Sequence, residues 1–72
     1  MSVIALHTHR LARANGAATA VAIAARRLGF DDAEATTQAE RARQRVKAGT
    51  SAARAVSVLT AQLRERAQAG AA

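Results

Sequence analysis

The chain contains no cysteine, proline, tryptophan or tyrosine, and a single phenylalanine. Without cysteine there are no disulfides and no thiolate metal sites. With one aromatic ring there is no platform on which the bases of a single strand could stack. Acids are scarce as well: Asp31, Asp32, Glu34, Glu40 and Glu65 are all there are. The first three have helix-capping work, and the other two stand among arginines. No nucleophile with a base beside it, glycine-rich phosphate loop or metal set can be assembled from what remains. A chain of 72 residues would also struggle to hold a catalytic pocket rigid. We therefore expect no enzyme, no cofactor, no metal and no small-molecule substrate.

Long hydrophobic runs are missing too. The longest uncharged stretch, residues 14–25 (ANGAATAVAIAA), is shorter than the roughly 20 apolar residues that cross a bilayer. As a signal core it is weak, being mainly alanine, interrupted by Asn15-Gly16 and followed at once by Arg26-Arg27. The expectation is a cytoplasmic protein without a membrane partner. Bulky apolar side chains are few, because most of the hydrophobic half of the composition is alanine. A single small domain with so little to bury usually needs a staple or a second copy of itself. Cysteine being absent, self-association is the expectation, with a homodimer as the first form to consider.

What the chain does contain is helix formers and arginine. Alanine, arginine, glutamine and leucine dominate, and all favour helix. Leu28-Gly29-Phe30 reads as a helix end, with Gly29 in the left-handed C′ position and Phe30 folding back as the hydrophobic C″ residue. Asp31 follows as an N-cap with Glu34 three residues on, the spacing of a capping box. Lys47-Ala48-Gly49-Thr50-Ser51 marks a second boundary, with Gly49 closing one helix and Thr50 or Ser51 opening the next. These signals predict helices at about 3–28, 32–48 and 51–67 and a frayed tail at 68–72, all in one domain. The fold class is all-α: a three-helix bundle with a long first helix, completed by homo-oligomerisation.

The apolar stripes support that reading. Ile4, Leu11, Ala14, Ala18, Val21, Ala25 and Leu28 follow one heptad track that also contains His7 and passes Gly16 without changing phase. This favours a continuous helix over a break at Asn15-Gly16, about 39 Å long at 1.5 Å per residue. Ala35, Ala39, Ala42 and Val46 form a narrow seam on the middle helix. Ala52, Val56, Leu59 and Leu63 form a fuller one on the last. The larger members, Ile4, Leu11, Val21, Leu28, Val56, Leu59 and Leu63, are the candidate oligomer seam. Ile23 and Val58 fall off their stripes, as a second contact surface would require.

Candidate functional residues begin with His7 and His9. On a helix, residues two apart point in nearly opposite directions, so the pair cannot hold one ion. A helix-turn or a pH-sensitive contact is what that spacing allows. The net charge is +6, and ten of the eleven cations are arginine. Arginine makes flat bidentate contacts to phosphate or carboxylate. In Glu40–Gly49 (ERARQRVKAG), Arg41 and Arg45 share one flank, while Arg43 and Lys47 share the other, astride the Ala42–Val46 seam. With Arg10 and Arg54, these are the expected contacts to nucleic acid or another partner.

The stretch Ala48–Leu59 (AGTSAARAVSVL) resembles the turn and second helix of a helix-turn-helix motif, through Gly49, Ser51, Ala55, Val58 and Leu59. The resemblance covers about twelve residues. Gln44 stands where that motif has a small packed residue, and SAARAVS offers few side chains to base edges. Two functions fit. One is a small basic regulator that engages nucleic acid or a nucleoprotein complex. The other is a protein-binding inhibitor or adaptor of the kind phages and mobile elements carry, similar in size and shape to anti-CRISPR proteins, with no motif behind the likeness.

Overall fold

The computed structural model describes the backbone of residues 3–71 and the side chains of residues 8–70. Three helices run in sequence: α1 (Val3–Arg27), α2 (Asp32–Lys47) and α3 (Ala52–Ala71). There is no strand among the described residues, and the small all-α bundle expected from the sequence is what forms. α1 is one continuous helix through Asn15 and Gly16.

Both turns close as their glycines imply. Gly29 has φ +96°. Its N–H donates to the Arg26 carbonyl at 3.0 Å, and the Phe30 N–H reaches the Ala25 carbonyl at 3.0 Å. This pair of bonds is a Schellman motif, and a side chain at Gly29 would strain it. The Asp31 carboxylate then accepts the Glu34 N–H at 2.8 Å and starts α2. Gly49, with φ +114°, repeats the device: its N–H donates to Val46 and that of Thr50 to Arg45. Ser51 is the residue that caps α3, its Oγ accepting the Arg54 N–H at 3.1 Å.

Two local details differ from expectation. The Glu34 carboxylate accepts Arg66 Nη2 at 2.6 Å and Gln38 Nε2 at 3.2 Å, so it joins α2 to α3 instead of completing a capping box. The Arg66 guanidinium brings a full opposite charge to the carboxylate, where a backbone N–H would offer only its dipole. α3 also continues to Ala71, where fraying was expected from Gln68. Ala67-Gln68-Ala69 are helix formers with no stop signal, and Gly70, unlike Gly29 and Gly49, does not take positive φ.

The core is built largely from alanine. Ala14, Ala17, Ala18, Ala25, Ala35, Ala42 and Ala55 are buried, with Val21, Val46, Leu59 and Leu63 as the only larger apolar side chains among them. α1 and α2 pack most extensively, small side chain against small side chain. α3 leans more on α1 than on α2 and drives Leu59 and Leu63 into the shared groove. Leu11, Leu28 and Val56 are half-buried. Val21, Leu59 and Leu63 were expected on a seam between copies, but they are fully buried within one chain. Three helices already enclose these three side chains, so they are not available to another molecule. The side chains of Ile4 and His7 lie outside the described residues.

Arg66 ties the far end together, lying 4.9 Å from the Phe30 ring centroid while it bonds Glu34. The hydrogen bond from Arg66, helped by that from Gln38, holds the Glu34 carboxyl below the usual carboxylate range. A depressed folded-state pKa stabilises the fold above the unfolded pKa, and the contribution is lost as pH falls through the folded value. Glu34→Gln should therefore melt below the parent at neutral pH. The gap should close as the pH drops through about 4 and below, measured by circular dichroism melts. A gap that persists in acid would show that the ion pair does not cause it.

Candidate nucleic-acid interface

Up-down-up topology places the early part of α1, the end of α2 and the start of α3 at one end of an elongated body of 53 × 19 × 14 Å. There Arg10 and Arg13 join Val46, Gly49, Thr50, Ser51 and Ala52 around a cavity of about 290 Å³. Spacing of i, i+3 puts the two arginines on one face of α1. Arg45 and Lys47 in the last turn of α2 and Arg54 near the start of α3 belong to the same end. Arg10, Arg13, Arg41, Arg45, Lys47 and Arg54 are exposed. None of the six is in an ion pair among the described residues, where the pairs are Arg26–Asp32, Arg43–Glu40 and Arg66–Glu34.

The acids sit elsewhere. Asp31, Asp32 and Glu34 open α2 at the opposite end, and Glu65 lies late in α3. Glu40 is the exception, and its two oxygens are taken by Gln44, at 2.8 Å, and by Arg43. Those two bonds, that from Gln44 first, keep the Glu40 carboxyl below its ordinary range, so it stays ionised against Arg43. The C-terminus of α2 and the N-terminus of α3 meet at the basic end, and their opposed dipoles largely cancel. The field there comes from the arginine and lysine side chains.

The expected contact residues are not equivalent. Arg43 is half-buried and bonds Asn15 Oδ1 of α1 at 3.0 Å as well as Glu40; it fastens α2 to α1. Arg41 and Arg45 lie on the flank of α2 that also carries Glu34 and Gln38, toward α3, while Lys47 lies on the Arg43 flank toward α1. The Ala42–Val46 seam between the flanks faces the core, so the flanks open to either side of α2 and do not form one track. Arg13 was missed as a site residue; its i, i+3 spacing from Arg10 was the available signal. On α3 the exposed positions Ala53, Arg54 and Ser57 would offer a DNA groove one long side chain. His9 is exposed. Among the described residues no three His, Asp or Glu side chains gather as a metal ion would require, and no helix is long and apolar enough to cross a membrane.

Compared with known protein families, curated proteins and solved structures, the chain matches none.

Proposed function

We propose that the chain is a non-enzymatic binding protein that engages nucleic acid, or a nucleoprotein complex, through its basic end. One observation carries the reading: Arg10, Arg13, Arg41, Arg45, Lys47 and Arg54 are exposed and outside every described ion pair, at or toward the end away from most of the acids. Exposed cations outside an ion pair can take phosphates; Arg41 and Lys47 feel only the longer-range pull of Glu34 and Glu40. Each phosphate neutralised releases a counterion, which makes the affinity salt-dependent and largely blind to sequence. The exposed amides toward that end, Asn15 and Gln44, are already engaged by Arg43 and Glu40, and the one aromatic ring of the sequence, Phe30, lies at the other end, which argues against base reading.

The test is a salt titration of duplex binding by fluorescence anisotropy. With about five phosphate contacts, affinity should fall about 500-fold between about 50 and 200 mM salt. No duplex binding at the low-salt end, or binding indifferent to salt, would end this reading. The same arginines would then stand for the second one, a protein-contact inhibitor or adaptor whose partner presents carboxylates, since a guanidinium fits a carboxylate as well as a phosphate.

A further inference from the structure

Arg10 and Arg13 do not stand on an open flank, as Arg41 and Arg45 do. From α1 they border the cavity of about 290 Å³ at the basic end, facing the α2–α3 turn from Gly49 to Ala52. The lining has one chemical character. No acid borders it, and every polar side chain there can donate: two guanidiniums and the hydroxyls of Thr50 and Ser51. The Ser51 oxygen already accepts the Arg54 N–H at 3.1 Å, and its O–H remains to donate. Ala52 stands in the first turn of α3, where backbone N–H groups have no acceptor within the helix. Neither arginine is taken by a described ion pair. Such a lining suits a ligand that accepts through several oxygens and carries negative charge.

Size and charge narrow the choice. A water's share of liquid volume is about 30 Å³, so the cavity has room for a phosphate group together with the sugar that bears it. A phosphodiester inside a strand carries one negative charge and is tethered on both sides, which keeps it along a surface. A phosphomonoester hangs on a single ester bond, presents three free oxygens and carries nearly two charges at neutral pH. Arg10 and Arg13 supply one guanidinium for each charge, set side by side by their i, i+3 spacing. The one aromatic ring, Phe30, is not among the lining residues, so recognition stops at phosphate and sugar and ignores the base.

We propose, on the footing that the basic end engages nucleic acid, that this cavity takes the terminal phosphate of a strand. The protein then prefers phosphorylated ends to the interior of a duplex. Arg41, Arg45, Lys47 and Arg54, outside the cavity lining, are left for the backbone phosphates that follow.

Fluorescence anisotropy at about 100 mM salt compares a short duplex bearing terminal phosphates, at its 5′ or its 3′ ends, with the same duplex ending in hydroxyls. At one of the two ends the phosphate should tighten binding about 10-fold or more, the gain expected of charge-assisted bonds to one added group. Thr50→Met fills the cavity and leaves every cation in place. It should remove the preference and keep the salt-dependent binding of the hydroxyl-ended duplex. Methionine suits the position, since the residue after a helix-ending glycine is commonly apolar, and a circular dichroism melt checks that the variant folds. Equal affinity for all three duplexes overturns the proposal and leaves the basic end as a general phosphate surface. A preference that survives Thr50→Met places the terminal phosphate outside the cavity and overturns it too. Inorganic phosphate and glycerol phosphate serve as competitors. If either displaces the phosphorylated duplex at concentrations near the duplex's own Kd, the ligand is a free phosphate or its small ester and the strand end is lost. If no duplex binds even at low salt, the nucleic-acid reading itself fails, and this proposal with it.

Discussion

Leu59→Ala should lower the melting temperature by at least about 10 °C, and at the upper end of its expected cost it leaves the chain unfolded at room temperature. Leu59 is fully buried and, with Leu63 and Val21, is among the largest side chains so enclosed. Leucine-to-alanine changes in a packed core cost about 2–5 kcal/mol, because the cavity only partly collapses. A domain of this length has roughly 4–11 kcal/mol in all, and one whose buried residues are mostly alanine belongs toward the bottom of that range. Collapse is also restricted here. The neighbours that would have to move inward are alanines already at close approach, whose side chains have no rotamers with which to fill space. Since about 1 kcal/mol moves the midpoint 4–8 °C in a domain this small, the effect is large by any accounting. Val56→Ala, at a half-buried position one helical turn away, should cost much less. A thermal melt of Leu59→Ala within a few degrees of the parent would mean that Leu59 does not anchor the core.

That core was partly legible in the sequence, and the gaps have physical causes. Helix ends were readable because each depends on one or two residues with few substitutes: a glycine at positive φ, and a side-chain oxygen at the cap. Periodicity found Ala14, Ala18, Val21 and Ala25 on α1 and Ala35, Ala42 and Val46 on α2. It passed over Ala17, Ala55 and Gln38, which are equally enclosed. An alanine looks the same on a buried face as on an exposed one, and a glutamine reads as surface until its partner, Glu34, is seen beside it. The seam was harder still. A stripe of Val and Leu says that something covers it, but whether the cover is the same chain or another depends on how the helices fold back. Here the chain covers its own.

The site was legible to a similar depth. Composition announced the arginines, and spacing assigned them to flanks. Their division into exposed and internally bonded cations depends on tertiary neighbours: Arg43 is engaged by Asn15, twenty-eight positions away in sequence, and Arg66 by Glu34 and Phe30. The pairing of Arg10 and Arg13 with the α2–α3 turn is likewise a product of topology, visible only once α1 runs past that turn.

Arg10→Glu/Arg13→Glu should weaken duplex binding by about 100-fold or more at moderate salt and flatten the salt dependence. Each phosphate contact contributes about 0.9 to the slope of log affinity against log salt, so two lost contacts remove about 1.8. Two carboxylates placed beside the same phosphates add repulsion to that loss. Arg27→Glu/Arg64→Glu is the matched comparison. It changes the net charge by the same amount, from +6 to +2 after four units are lost, and it alters exposed residues at the other end of the molecule. If the basic end does the binding, the comparison variant should lose only the few-fold that a weaker overall field accounts for. Equal losses in the two variants would mean that net charge alone attracts the duplex, with no localised interface. Arg41→Glu/Arg45→Glu then decides whether the α3-side flank of α2 takes part: a loss close to that of Arg10→Glu/Arg13→Glu extends the interface along that flank, and parent-like binding confines it to the cavity end. Arg10→Glu/Arg13→Glu replaces exposed side chains outside the described ion pairs and should leave the melting curve unchanged. Arg41→Glu, which faces Glu34, and the last-turn changes at Arg27 and Arg45 should lower it slightly, so each binding loss is read at a temperature where the variant is folded.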